Sequence, residues 1–151
     1  MSDARTAAPA ETPGAARLAK TQKVQRASSG LVFMLILEFI LGIVYNLYGS
    51  MPTSTKSIGL FSNGWLIVHE IMAILLVLAA IQVVVMAMGS GSGLAKVTSW
   101  VGLIGIIAAI GAGMSFTRNG AAGASLGMAI AFAVSLACYV VNLTRLRPGE
   151  L

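Results

Sequence analysis

The sequence predicts an all-α integral membrane protein: a polytopic bundle of four transmembrane helices with a disordered N-terminal tail. The first observation is composition. The 151 residues are 57% hydrophobic by type and only 10% charged, whereas soluble domains have about 25% charged residues. The second is a mean hydropathy of +0.87. A soluble domain of this size does not hide so much apolar surface, so an ordinary water-soluble enzyme is excluded.

The third observation is a set of four apolar segments, each about 20 residues or longer, which is enough for an α-helix to cross a ~30 Å hydrocarbon core. They cover approximately 29–49, 64–88, 94–116 and 121–144. The shorter alternating segments that are typical of a membrane β-barrel do not occur. The sequence therefore predicts a four-helix transmembrane domain over residues 28–145 and a short cytoplasmic C-terminus at 146–151.

Residues 1–27 are rich in Ala, Pro, Thr and charge and have almost no large apolar side chain. Such a segment does not bury enough surface to offset its ordering entropy, which predicts a disordered cytoplasmic tail. A signal peptide is not indicated, because the charged region and the apolar segment after it are both too long. We expect its basic residues to contact anionic lipid headgroups, at about 1 kcal/mol each near the surface. These residues include Arg17, Lys20, Lys23 and Arg26.

Lys and Arg are distributed unevenly between the two sides of the predicted bundle. The side with both termini and the link between the second and third helices has eight of them, whereas the other side has only Lys56 and Arg118. The positive-inside rule therefore places both termini in the cytoplasm and the protein in the plasma membrane. The net charge of +5 does not indicate nucleic acid, because the charges lie at the ends of apolar segments.

Small residues recur at four-residue spacing in the third and fourth segments, which predicts close helix packing there. These residues are Gly105, Ala109 and Gly113 in the third segment, and Gly123, Gly127, Ala131 and Ser135 in the fourth. Since only residues 117–120, with an Asn-Gly turn signal, separate the two segments, we expect a tight antiparallel hairpin. The alternative is that one stripe of small residues faces a partner subunit.

Polar side chains inside the predicted spans need an explanation, because a charged group at the membrane centre costs at least about 2.5 kcal/mol. From the helical rise, Glu38 lies about 16 Å below the outer boundary, near the bilayer middle, and His69 and Glu70 lie about 7 to 9 Å below it. Glu38 and Asn46 share one face of the first helix. The intramembrane polar set comprises Glu38, Asn46, His69, Glu70, Gln82 and Ser135.

This polar set has two interpretations. Chains of carboxylate and imidazole groups are typical of proton or cation movement, which would make Glu38 the titrating group. The interpretation that we favour is that Glu38 is protonated and hydrogen-bonds across helices, while Glu70 pairs with Lys56 or Arg118. Because His69 and Glu70 are adjacent and point about 100° apart, we do not expect both to face one track equally.

Haem b is the one cofactor alternative, with His69 as an axial ligand and a Met side chain opposite it. A single His and a single Cys do not suffice for a zinc or iron–sulfur centre. Cys138 lies in an apolar run, where a thiol is inert, and on the opposite side of the membrane from His69. The sequence therefore predicts no catalytic residue, no metal site and no cofactor, and it does not indicate an enzyme.

Four stretches of the chain have a family resemblance. They are LEFILGIVYNLYGSMP (37–52), GWLIVHE (64–70), GAGMSF (111–116) and SLGMAIAFAVSLACYV (125–140). In these stretches the chain resembles small, uncharacterised four-helix membrane proteins of high-GC Gram-positive bacteria, over about residues 30–144. The resemblance implies four helices and a role in the group for the face with Glu38 and Asn46 and for His69. It implies no activity.

The sequence thus favours a small accessory or structural subunit of a larger membrane complex, because the chain is short and has neither a soluble domain nor a complete cofactor site. One alternative is an oligomer that translocates protons, small ions or solutes with Glu38. Another is a haem redox protein ligated by His69. The expected partners are the lipid bilayer, other membrane subunits or further copies of the chain, and anionic headgroups at the basic tail.

Overall fold

The structure is a computed structural model that describes residues 12–146. These residues form four helices, α1 (Pro13–Tyr48), α2 (Gly64–Met88), α3 (Gly93–Asn119) and α4 (Ala122–Arg145). The predicted fold class is confirmed, since the helices pack as a bundle and each is long and apolar enough to cross a membrane. The predicted bounds of the second span coincide with α2, and the third and fourth spans differ from α3 and α4 by a few residues.

The first helix begins at Pro13, well before the predicted start of the first span. Residues 13–27, which the sequence assigned to the disordered tail, are helical, and residues 1–11 lie outside the described residues. The Thr12 hydroxyl accepts the Ala15 N–H at 3.4 Å and caps the helix. Proline at the first helical position loses no hydrogen bond and has a φ that suits the helix.

Contacts with the rest of the bundle stabilise this early part of α1. Val24 is fully buried, and the Gln25 side-chain amide donates to the Leu143 carbonyl of α4 at 2.7 Å. Composition predicted disorder because the segment has few large apolar side chains. Its Ala, Lys, Gln and Arg residues nevertheless favour helix. The contact of Gln25 with Leu143 of α4 stabilises the helix in this segment.

The helices form a ring in the order α1, α2, α3, α4, in which each packs against its two neighbours, and α3 and α4 make the most extensive contact. The turn between α3 and α4 ends on Gly120, whose φ of 65° is in the left-handed region. The Gly120 N–H donates to the Phe116 carbonyl at 2.8 Å and closes the last turn of α3. This geometry suits glycine and explains the Asn-Gly pair.

We call the half of the bundle with the chain ends and the α2–α3 link (residues 89–92) the terminal half. The half with the α1–α2 loop (residues 49–63) and the α3–α4 turn (residues 120–121) is the loop half. The terminal half is filled by a continuous core of buried side chains. Its largest members include Val24, Leu31, Leu76, Val83, Leu103, Ile106 and Tyr139.

Helices α3 and α4 approach most closely in the terminal half. A Cβ on Gly102 would lie 2.7 Å from Cζ of Tyr139, and a Cβ on Gly105 would overlap the Ser135 hydroxyl. The Ser135 hydroxyl donates across this interface to the Gly102 carbonyl at 3.1 Å. The backbones can come this close only because both positions on α3 have no side chain.

The other members of the two stripes lie in looser contact. A Cβ on Gly113 would be 3.4 Å from the Met128 sulfur, a Cβ on Gly127 would be 3.9 Å from Ala112, and Gly123 has no neighbour within 4 Å. The interface between the two helices is therefore tighter at Gly102 and Gly105 than at Gly113 and Gly127.

A polar cluster that the sequence analysis did not single out joins the same two helices in the terminal half. The Asn142 side chain is fully buried. Its carbonyl oxygen accepts from the Thr98 hydroxyl, and its amide donates to the Ser99 hydroxyl at 3.2 Å. Interhelical hydrogen bonds of this kind stabilise helix pairs in membranes by about 0.6 to 2 kcal/mol.

The α1–α2 loop folds over the end of the α3–α4 hairpin. The Ile58 N–H donates to the Thr117 carbonyl at 2.9 Å. A Cβ on Gly120 would lie 2.6 Å from the Pro52 carbonyl oxygen. The loop is therefore attached to α3 and covers part of the loop half.

We expect Gly105→Leu to destabilise the bundle by about 1 to 3 kcal/mol, because the new side chain forces α3 away from Ser135 of α4. The matched control is Gly111→Leu on the same helix, where an added Cβ has no neighbour within 4 Å. Thermal unfolding of both variants in the same detergent measures the effect. Equal unfolding midpoints for the two variants would contradict the close approach at Gly105.

Candidate functional site

The loop half contains a cavity of about 320 Å³, within the range of about 300 to 1,000 Å³ that is typical of ligand pockets. All four helices and the α1–α2 loop form its wall. Small residues face the cavity from all four helices and leave this space open. They include Gly42, Ala73, Ala109, Gly113 and Ala129.

At its deep end the cavity meets the packed core. Leu35, Leu76, Ile106 and Ser135 form both the cavity wall and part of the buried interior. Beyond them, the terminal half is filled by the core that surrounds Tyr139. In residues 12–146 the cavity therefore reaches from the loop half only to about the middle of the bundle.

Most of the wall is apolar, and several of its polar groups already have hydrogen-bond partners. The Tyr45 hydroxyl donates to the Ser50 carbonyl at 2.8 Å. The Thr117 hydroxyl donates to the Met114 carbonyl at 2.9 Å, and the Ser135 hydroxyl is used between α3 and α4. These three groups offer little capacity for a further partner.

Glu38 of α1 and His69 of α2 meet on the wall. Oε1 of Glu38 lies 3.1 Å from Nδ1 of His69, with 13% of the Glu38 side chain and 25% of the His69 side chain exposed. Gly42, one turn along α1, leaves space for the imidazole, since a Cβ there would lie 3.6 Å from Cε1 of His69. Oε2 of Glu38 and Nδ1 of His69 are both buried without a hydrogen-bond partner, although Nδ1 is in contact with Oε1 of Glu38.

Glu70 borders the same cavity from its loop side. Oε2 of Glu70 accepts the backbone N–H of Phe61 at 3.0 Å, while Oε1 is buried without a partner. Phe61 has a φ of 57°, which is uncommon for a residue with a side chain. The predicted pairing of Glu70 with Lys56 or Arg118 does not occur among the described residues, and the partner of Glu70 is this loop amide instead.

His69 and Glu70 both border the cavity although they are sequence neighbours. His69 lies on the side of α1, beside Glu38, and Glu70 lies on the side of the loop, beside Phe61. We expected that His69 and Glu70 would not both face one proton or cation pathway equally, and this expectation assumed that the pathway is narrow. A wide cavity can be bordered from two directions by one helix.

The structure brings most of the predicted polar set together. Glu38, Asn46, His69, Glu70 and Ser135 all border the cavity, whereas Gln82 of α2 is exposed and lies away from it. Ala109 and Gly113 from the small-residue stripe of α3 also border it. The loop residue Leu60 was not expected on the wall, because the sequence does not indicate how a loop folds back.

The haem alternative requires ligand atoms on the cavity wall. The imidazole of His69 and the thioethers of Met114 and Met128 are there. The contact of His69 with Glu38 involves Nδ1, and a metal-bound imidazole commonly bonds a carboxylate through its other nitrogen. In the described part of the chain, no three His, Cys, Asp or Glu side chains are placed to hold a metal ion. Cys138 of α4 lies away from the wall.

No protein-family model matches the chain, and no curated protein and no solved structure matches it either. The four long apolar helices are consistent with a small four-helix membrane protein. Function therefore has to be argued from the cavity and its side chains.

We expect Glu70→Ala to loosen the loop around Phe61, because the Phe61 N–H then loses its acceptor. A hydrogen bond to a charged group is worth about 1.5 to 3 kcal/mol, so exchange of this amide should become at least about tenfold faster. Hydrogen–deuterium exchange of the peptide over residues 59–63 measures this. Glu70→Gln is the control, since its amide oxygen can still accept, and equal exchange in all three proteins would contradict the contact.

Proposed function

We propose that the protein binds a small, mainly apolar molecule in the cavity of the loop half, inside the membrane. One observation carries this proposal. The described residues contain five buried side-chain polar atoms without a hydrogen-bond partner, and three of them belong to wall residues. These three atoms are Oε2 of Glu38, Nδ1 of His69 and Oε1 of Glu70.

Such atoms are costly in a folded protein, at about 1 to 3 kcal/mol for each neutral group and more for a charged one. Native structures satisfy nearly all of their buried polar atoms, and an exception often marks the place of a missing water, ion or ligand. Here three of the five exceptions belong to residues that line a space large enough for a ligand. A small rotation of these side chains towards the cavity would let a polar group on a bound molecule supply the missing partner, and the apolar wall would hold the rest of it.

The cavity favours a binding role over the accessory-subunit role. A subunit that serves only as a structural element needs well-packed helices, and a hollow half with unpaired carboxylates weakens that packing. The shape also favours binding over continuous conduction, because the core around Tyr139 fills the terminal half.

The side of the membrane from which a ligand enters follows from the basic residues. Among the described residues, the terminal half has Arg17, Lys20, Lys23, Arg26, Lys96 and Arg145, whereas the loop half has Lys56 and Arg118. The positive-inside rule then places the terminal half at the cytoplasm. In this orientation the cavity is reached from outside the cell or from the outer leaflet of the bilayer.

A second candidate is movement of protons by Glu38, and the 3.1 Å contact between Glu38 and His69 favours it. A carboxyl group and an imidazole this close can exchange a proton after a small rotation. Transfer across the whole membrane would then require the terminal half to open in a second conformation.

We expect saturable binding of 4-fluorobenzyl alcohol, a small apolar probe with one hydrogen-bonding group, to the protein in lipid nanodiscs. Ala109→Phe should abolish it, because Ala109 borders the cavity and a phenyl group would fill much of the space. Fluorine NMR measures binding, with empty nanodiscs as the reference for partitioning into lipid.

The matched control is Ala108→Phe, since Ala108 is exposed on the same helix and does not border the cavity. Ala73→Phe blocks the cavity from α2 and tests the result with an independent variant. Loss of binding in both blocking variants, with binding kept in Ala108→Phe, supports the proposal. Absence of saturable binding, or equal binding in all variants, overturns it.

For the second candidate, we expect proteoliposomes under a potassium diffusion potential to take up protons, and Glu38→Gln to abolish the uptake. Glutamine keeps the size of the side chain but has no titrating proton. A pH-sensitive dye inside the vesicles measures the flux. Gln82→Ala is the control, because Gln82 is exposed and away from the cavity. A flux equal to that of empty vesicles would remove this candidate.

A further inference from the structure

The geometry points to an organic cation as the ligand of this cavity: one positively charged, ammonium-type group attached to an apolar body. This inference rests on the proposed binding function and deepens it by naming the ligand class. It follows from the charges on the wall, from the atoms left without partners, and from the aromatic rings on the same wall.

The charged groups of the wall are of one sign. Glu38 and Glu70 border the cavity, and neither a lysine nor an arginine is among the described residues that do so. The two basic residues of the loop half, Lys56 and Arg118, are exposed and lie off the wall. The only group on the wall that can become cationic is His69, so the side chains of the wall do not neutralise both carboxylates.

The free positions are acceptors. Each carboxylate has one engaged oxygen, with Oε1 of Glu38 against His69 and Oε2 of Glu70 on the Phe61 amide. Each also has one buried oxygen without a partner. A carboxyl group that is protonated in the empty protein, as the sequence favours for Glu38, loses its proton more readily beside a bound cation. The resulting carboxylate attracts positive charge and accepts hydrogen bonds. A bound cation would offset this charge, and one with N–H groups would also donate to the free oxygens, whereas a bound anion would be repelled by them.

The surroundings favour an organic cation over a metal ion. Calcium and magnesium need six or more oxygen ligands or a retained water shell, and most of this wall is apolar. Phe39 and Phe132 both border the cavity and stack with ring centroids 5.0 Å apart and an interplanar angle of 18°. Tyr45 and Phe116 are also on the wall. Aromatic faces attract ammonium groups and pack against apolar bodies.

The size of the cavity limits the ligand. A volume of about 320 Å³ lies at the lower end of the range for ligand pockets. It suits a molecule with one ring or a short branched chain rather than a lipid with two tails. The ligand is therefore a compact amphiphilic amine or quaternary ammonium compound.

The test compares two probes of the same shape, 4-fluorobenzyltrimethylammonium and 1-fluoro-4-neopentylbenzene, in which a carbon replaces the nitrogen. Binding of each to the full-length protein in nanodiscs is followed by fluorine NMR, with concentrations corrected for lipid partitioning in empty nanodiscs. We expect the cation to bind at least tenfold more tightly than its neutral isostere.

The carboxylate variants then separate charge from shape. Glu38→Gln and Glu70→Gln should each weaken binding of the cation at least fivefold and leave binding of the neutral isostere within twofold. Glu38→Asp keeps the charge and should retain the preference for the cation. This variant is the control that separates loss of the charge from a folding defect caused by substitution at position 38. Equal affinity for the two probes, or a preference for the cation that survives both glutamine substitutions, overturns the inference.

The outcomes also distinguish this inference from the proposed function. If the neutral isostere and 4-fluorobenzyl alcohol bind as well as the cation and the cavity-filling variants abolish their binding, the binding function stands and the ligand class is wrong. If neither these probes nor the cation show saturable binding, the proposed function itself fails.

Discussion

The close approach of α3 and α4 at Gly102 and Gly105 is the constraint on which the rest of the structure depends. The two helices are joined by a short turn at one end and meet almost backbone to backbone in the terminal half, where Ser135 and Asn142 hold them together by hydrogen bonds. Their contacts in the loop half, at Gly113 and Gly127, are looser. The other two helices pack around this pair, and the space that remains is the cavity.

The two halves of the bundle differ in how their polar side chains are hydrogen-bonded. In the terminal half the polar cluster around Asn142 is well paired, as expected for groups that stabilise a helix pair in a medium without water. In the loop half, Glu38, His69 and Glu70 border the cavity and retain buried atoms without partners. Functional sites commonly contain interactions that are unfavourable in the empty protein and become favourable on binding. The hydroxyls of Ser28 and Tyr139 in the terminal half also lack partners among the described residues, but neither residue borders the cavity. The coincidence of unpaired ionisable groups with a cavity is the reason for proposing a binding site in the loop half.

The loop over residues 49–63 contributes to the wall of the cavity through Leu60. It is attached to α3 through Ile58 and Thr117, and to α2 through the Phe61 amide on Glu70. The same carboxylate therefore holds the loop and borders the cavity. A ligand that engages Glu70 would act on both at once, so the loop is part of the proposed binding site.

Local patterns in the sequence determined the number of helices, the bounds of α2, the turn at Gly120 and the residue types of the site. Hydropathy and turn chemistry act over a few residues, and a span in lipid has few alternatives to helix. The helical continuation from Pro13 was missed because contacts with Leu143, distant in sequence, hold it in place.

Only the tertiary structure decided which polar residues meet. It placed His69 against Glu38, gave Glu70 a loop amide instead of a basic side chain, and left Gln82 on the exposed surface. These relations depend on the rotation and separation of helices, which a change of a few ångströms alters without any change in hydropathy. The cavity is a property of how the helices fit together, and no single segment encodes it.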